Sequence, residues 1–120
     1  MAGQNDIASF APLGVLRAFF GVKGLMQVET LTGNVTLTPA YPSMLKLDPG
    51  GSSRNVTLEA EADSNGAVRF FVNAADAAEN LVIKDDAAST IVTINQNEGA
   101  IVYCDGTSWL LFCVLTIALS

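Results

Sequence analysis

Histidine is missing from the 120 residues of this chain, cysteine occurs only twice, and charge is scarce. Without histidine no Ser–His or Cys–His pair can be drawn, which removes the commonest way of activating a hydroxyl or thiol; no enzymatic activity is expected. Cys104 and Cys113 stand nine residues apart and match no zinc-ligand pattern, so neither a metal nor another cofactor is expected. They flank the last turn and could face each other across a hairpin. No cysteine framework or secretory leader points to an oxidising compartment, and free, buried thiols are expected.

Charged residues make up 15% of the chain and hydrophobic ones 50%, against roughly 25% charged in ordinary soluble domains. So few charges coat an isolated monomer poorly, which favours an oligomer or a larger particle. Six basic residues against twelve acidic give a net charge of −6, which offers no footprint for a nucleic-acid backbone. The sign is unevenly spread. Met1–Leu25 holds Asp6, Arg17 and Lys23 and is net positive by one, so the acidity belongs to the rest of the chain.

Two apolar stretches invite a membrane reading. Trp109–Leu119 has eleven residues, whereas a spanning helix needs about twenty. Ile7–Leu25 is interrupted by Pro12, Gly14, Arg17, Gly21, Lys23 and Gly24 and lacks the basic start and cleavage site of a secretory signal. No membrane role is expected.

One domain fits this length. The segment 1–26 reads as an extended N-terminal arm, since its glycines and Pro12 discourage a long helix, although Leu13, Leu16, Arg17 and Phe20 would share a face in a short one. Either form exposes Phe10, Leu16, Phe19 and Phe20 unless a neighbour covers them. Residues 27–120 read as a β-rich body with an apolar C-terminal strand. Strands are expected near Gln27–Thr30, Val35–Leu37, Met44–Leu47, Asn55–Leu58, Val68–Val72, Leu81–Ile83, Thr90–Ile94, Ala100–Tyr103 and Trp109–Val114, with turns at Asp48-Pro49-Gly50-Gly51, Asp63–Gly66 and Asp105-Gly106. Asn73–Asn80 is a short helix candidate with Asn73 as its cap, and a loop is nearly as good a reading. Short strands with turns about every ten residues predict an all-β fold, a small antiparallel sandwich or barrel-like, jelly-roll-like arrangement.

Asn-Val-Thr-Leu occurs at 34–37 and again at 55–58. Such an echo fits a duplicated β-unit, but four positions of strand-favouring composition are read in preference as coincidence. Glu59, Glu61 and Asp63 alternate and read as a solvated strand face rather than an acid–base pair. Asp85-Asp86 is expected to accept backbone hydrogen bonds in a turn, and Gly50–Arg54 lacks the lysine and helix of a phosphate-binding loop. Tyr103 and Trp109 could stack on a sugar, but a hairpin core is the preferred reading. Ile101, Tyr103, Trp109, Leu111 and Phe112 form the expected core or oligomer surface.

From Val56 to Leu111 the chain resembles β-modules of tailed bacteriophages, found in capsid decoration (cement) proteins and in fibre or spike head domains. The opening VTL strand, a small-residue-Gly-then-FFV strand, the LVIKDD strand-turn and the closing hairpin Ile101-Val102-Tyr103-Cys104-Asp105-Gly106-Thr107-Ser108-Trp109 carry the resemblance. It implies a non-enzymatic virion protein on the capsid exterior, a trimer in preference to a dimer, that stabilises the shell by clamping neighbouring major capsid subunits. Phe10, Leu16, Arg17, Phe19, Phe20 and Lys23 of the arm would touch the capsid, the two cations pairing with its carboxylates. The alternative it implies is a fibre-associated adhesion module that binds a host receptor, a glycan or protein, through exposed loops such as Ser52–Asn55 and Ser64–Gly66.

Overall fold

In the computed structural model, which describes residues 26–117, nine strands are present: β1 (Met26–Thr30), β2 (Val35–Thr36), β3 (Met44–Asp48), β4 (Arg54–Thr57), β5 (Val68–Asn73), β6 (Leu81–Lys84), β7 (Thr90–Ile94), β8 (Glu98–Cys104) and β9 (Trp109–Thr116). A single 3₁₀ turn, Glu61–Asp63, lies between β4 and β5. The chain alternates between two sheets. β1, β3 and β5 are laid side by side in one, β2, β4 and β6 in the other, and β7 then closes the second sheet while β8 and β9 complete the first. The orders are β9-β8-β5-β3-β1 and β2-β4-β6-β7.

This winding corrects the antiparallel expectation. The ladders β1–β3, β3–β5, β2–β4 and β4–β6 are parallel, and only β6–β7, β5–β8 and β8–β9 are antiparallel. Parallel neighbours need a crossover, and here each crossover is a strand of the opposite sheet. Gln27–Leu37, a strand, a turn and a strand, is therefore the passage from one sheet to the other. Gly50, at φ 78°, makes the next passage possible: a Cβ there would overlap the Leu31 carbonyl oxygen of the turn beneath it. Among the described residues neither sheet closes on itself.

The two sheets face each other across one apolar core. Leu45, Leu47, Phe71, Ala100 and Val102 come from the five-stranded sheet and Val56, Leu81, Ile83 and Ile94 from the other. Alternation in β3 and β6 delivers these residues inward, as the period of two requires. The Asn-Val-Thr-Leu echo proves structural: Val35 pairs with Val56 and Thr36 with Thr57 in parallel register, with Leu37 and Leu58 both buried one step on.

Asn73–Asn80 forms no helix. Asn73 is instead the last residue of β5, fully buried, with its amide nitrogen donating to the carbonyls of Glu79 and Ile94 and its side-chain oxygen accepting from the Ala75 N–H. It ties the passage 74–80 to both sheets.

Candidate functional site

The acidic groups were the first candidates for chemistry, and the structure divides them. Glu59 is no solvated residue: Arg69 Nη2 donates to its Oε1 at 2.8 Å, and both side chains are largely buried. The same guanidinium donates to the carbonyls of Thr38, Tyr41 and Pro42, and Trp109 Nε1 donates to the Glu59 carbonyl at 2.8 Å. The cation locks residues 38–42 and Glu59 to β5, and the indole ties β9 to the same point. Such a buried, hydrogen-bonded pair is a structural lock, since removing either partner would strand a charge.

Glu61 and Asp63 sit in the exposed 3₁₀ turn instead of a strand. The Glu61 carboxyl is held above its ordinary value. Its own backbone N–H, the largest influence, pulls it down, but a hydrogen bond shared with Asp86, slight desolvation and the charges of Asp86 and Asp85 outweigh that. Asp85 accepts backbone hydrogen bonds from Ala87 and Ser89, as its turn position suggested. On the other side of the winding, Asp48, Asp76 and Glu79 bring carboxylate oxygens within 4.8 Å of one another. Two of the three already accept from the Gly50 and Gly51 N–H groups.

The loops assigned to receptor binding emerge on opposite sides. Ser53 is tied to Asn80, and Gly51 to Glu79, where the chain leaves the five-stranded sheet. Gly66, by contrast, donates to the Cys104 carbonyl where the chain returns to it. Ser52–Asn55 and Ser64–Gly66 therefore share no surface.

What remains is the outward face of the five-stranded sheet. β5 reads Val68, Phe70 and Val72 outward but Arg69, Phe71 and Asn73 inward, so its outer side is the more apolar of the two. Strands greasy on both sides are typical of sheets covered on both faces. The rows continue across the register. Met44 lies beside Phe70, which lies beside Ile101 and then Cys113; Val68 lies beside Tyr103 and then Leu110. A shallow groove of about 300 Å³ runs between Val68, Phe70, Ile101, Tyr103 and Phe112. Tyr103 and Phe112 meet edge to face there, with centroids 6.4 Å apart.

The expected core or oligomer residues thus separate. Trp109 is core, at 3% exposure. Ile101 is half-buried on the outer face, while Tyr103, Leu111 and Phe112 are exposed, Phe112 at 69%. Phe112 faces outward by alternation from Trp109 and, at the register shift between Leu111 and Cys113, has no partner on β8. Cys104 and Cys113 are both free and do not face each other: Cys104 is opposite Trp109 and Cys113 opposite Ile101. Cys104 is buried as expected, whereas Cys113 is only partly so. The arm residues Phe10, Leu16, Arg17, Phe19, Phe20 and Lys23 lie outside the described residues.

Sequence reasoning missed Arg69 and Asn73, whose inward placement on β5 breaks the apolar-in pattern. The two-sided apolarity of Val68–Asn73, interrupted by one Arg and one Asn, was the available signal. Among the described residues no helix is long and apolar enough to cross a membrane. Compared with protein-family models and with curated proteins, the chain matches none.

Proposed function

We propose that this chain is a structural protein of a bacteriophage virion, a decoration subunit on the capsid exterior that stabilises the shell by clamping neighbouring major capsid subunits. It works without catalysis or cofactor, as a homo-oligomer, through burial of apolar surface that the isolated body leaves uncovered. The supporting observation is the outward face of the five-stranded sheet. It carries Met26 and Val28 on β1, Met44 on β3, Val68, Phe70 and Val72 on β5 and Leu110, Phe112 and Leu115 on β9, interrupted by Lys46 between Val28 and Val72, while most acidic residues occupy loops and strand ends. Burial of such surface yields about 25 cal/mol per Å², and a lattice repeats each contact many times. The phage assignment rests on the resemblance carried by the LVIKDD strand-turn and the Ile101–Trp109 hairpin.

In this reading the arm reaches the shell through Phe10, Leu16, Phe19 and Phe20, with Arg17 and Lys23 meeting capsid carboxylates. The adhesion alternative would use exposed loops such as Ser52–Asn55 or Ser64–Gly66, each on its own side. Electron cryomicroscopy of particles carrying the chain tests the proposal. Density for the β body on the outer surface, touching two capsid subunits, is the expected result; density confined to a tail fibre overturns it.

A further inference from the structure

Four strands form the sheet margins, and they differ in how well they are guarded. β2 has two residues; β1 has five, including Glu29; β7 has five, with Thr90 and Thr93. β9 has eight, carries neither charge nor proline, and has no hydrogen-bonded strand on its outer side among the described residues, although β7 of the other sheet passes within 8 Å of it. Unpaired N–H and C=O groups on such an edge template pairing with another strand, and natural edges are usually blunted by shortness, charge or proline. β9 is neither short, charged nor interrupted by proline, and of the usual devices it has only the irregularity at Phe112. No charged residue occurs anywhere from Gly106 to Ser120. On a chain of net charge −6, two copies meeting along this stretch oppose no carboxylates.

We propose that β9 pairs antiparallel with β9 of a second copy about a two-fold axis, joining the two five-stranded sheets edge to edge. The register irregularity fixes how. Before it, Leu111 lies opposite Val102 on the core side and Leu110 opposite Tyr103 on the outer side; after it, Val114 lies opposite Ala100 on the core side and Leu115 opposite Gly99 on the outer side. Paired residues must project to the same side of a sheet. With the axis between Phe112 and Cys113, Leu111 meets the second copy's Val114 and Leu110 meets its Leu115, each on its proper side. A regular strand would oppose inner to outer residues at that centre; the extra residue at Phe112 restores the match.

A second copy is the favoured occupant because a two-fold contact is self-complementary, so an edge apolar along its whole length suits its own duplicate. Leu111 and Val114, both over 40% exposed at the rim of the core, would cover each other. The outer apolar faces of the two copies become one continuous surface, which places the capsid-facing patch on a dimer where the resemblance implies a trimer first.

This inference goes beyond the virion reading, and its test uses no shell, so either can fail alone. Sedimentation of the full chain should give the mass of a dimer, and Val114→Lys, which puts an ammonium on the edge, should halve it. The melting temperature of V114K at matched monomer concentration reports whether the body stays folded. As an independent arm, Leu110→Cys with Leu115→Cys in a Cys113→Ser background should yield a covalent dimer on oxidation. A monomeric wild type, a trimer, or a folded V114K variant that keeps the dimer mass overturns the proposal, as does the absence of a covalent dimer.

Discussion

The side-chain oxygen of Asn34 accepts a 2.9 Å hydrogen bond from the backbone N–H of Asn55, its counterpart one circuit later in the winding. Val35 and Val56 then stand beside each other in the same ladder. A tetrapeptide repeated at a spacing of 21 residues is thus a stacked pair, as in solenoids whose units contact only their neighbours. Leu37→Ala and Leu58→Ala should each cost about 2–5 kcal/mol, the usual range for emptying a buried leucine site. The double variant should deviate from additivity by about 0.5–3 kcal/mol, because the two sites are adjacent. Urea denaturation of the four proteins measures both quantities.

Asn73 makes the second prediction. Asn73→Ala leaves the Glu79 and Ile94 carbonyls and the Ala75 N–H without their side-chain partner, at about 1–3 kcal/mol for each buried group left unsatisfied. Asn73→Leu should be no better, since bulk does not replace a donor. Recovery of wild-type stability by N73L would contradict this role.

Breaking the buried lock should be more damaging than altering its charge. Arg69→Met removes the partner of Glu59 and of three carbonyls and should cost about 3–5 kcal/mol. Glu59→Gln keeps an acceptor for Arg69 and should cost less. Because the pair is buried, the gap between the two variants should change little between low and high salt, as read from chemical denaturation.

Two carboxyls predict opposite pH effects. Glu61 is raised in the folded protein, so the folded state binds its proton more tightly and the associated stability is lost as pH rises through the folded value. Asp86→Asn removes that repulsion and should bring the Glu61 titration down, as seen by carboxyl NMR. Asp105 is lowered, first by the Ser108 N–H and then by that of Thr107. Its contribution is present above the unfolded value and lost as pH falls through the folded one. Asp105→Ala should abolish that part of the acid sensitivity.

Much of the architecture was legible in the chain. Every expected strand from Gln27 to Val114 exists within a residue or two of its place, because the β-branched runs and the Asp-Pro-Gly-Gly and Asp-Gly turns are local signals. Pairing was not legible. Alternation specifies a buried face but not which strand lies beside which, so an antiparallel arrangement was expected although consecutive β1 and β2 belong to different sheets. The repeat at Asn34 and Asn55 carried that information, in too few residues to stand apart from composition. The apolar surface was half legible: Trp109 and Phe112 sit three residues apart, so alternation alone puts one in the core and the other outside, but nothing local says that Cys113, after the irregularity, stays on the side of Phe112.

The central claim is that this chain acts by joining a shell. Its most direct measurement is a density gradient of shells, assembled from the major capsid protein alone, mixed with increasing amounts of the full-length chain. The account predicts that the chain travels with the shells to a fixed saturating ratio and raises their melting temperature. A chain that stays at the top of the gradient at every ratio, with the shells melting unchanged, would contradict it.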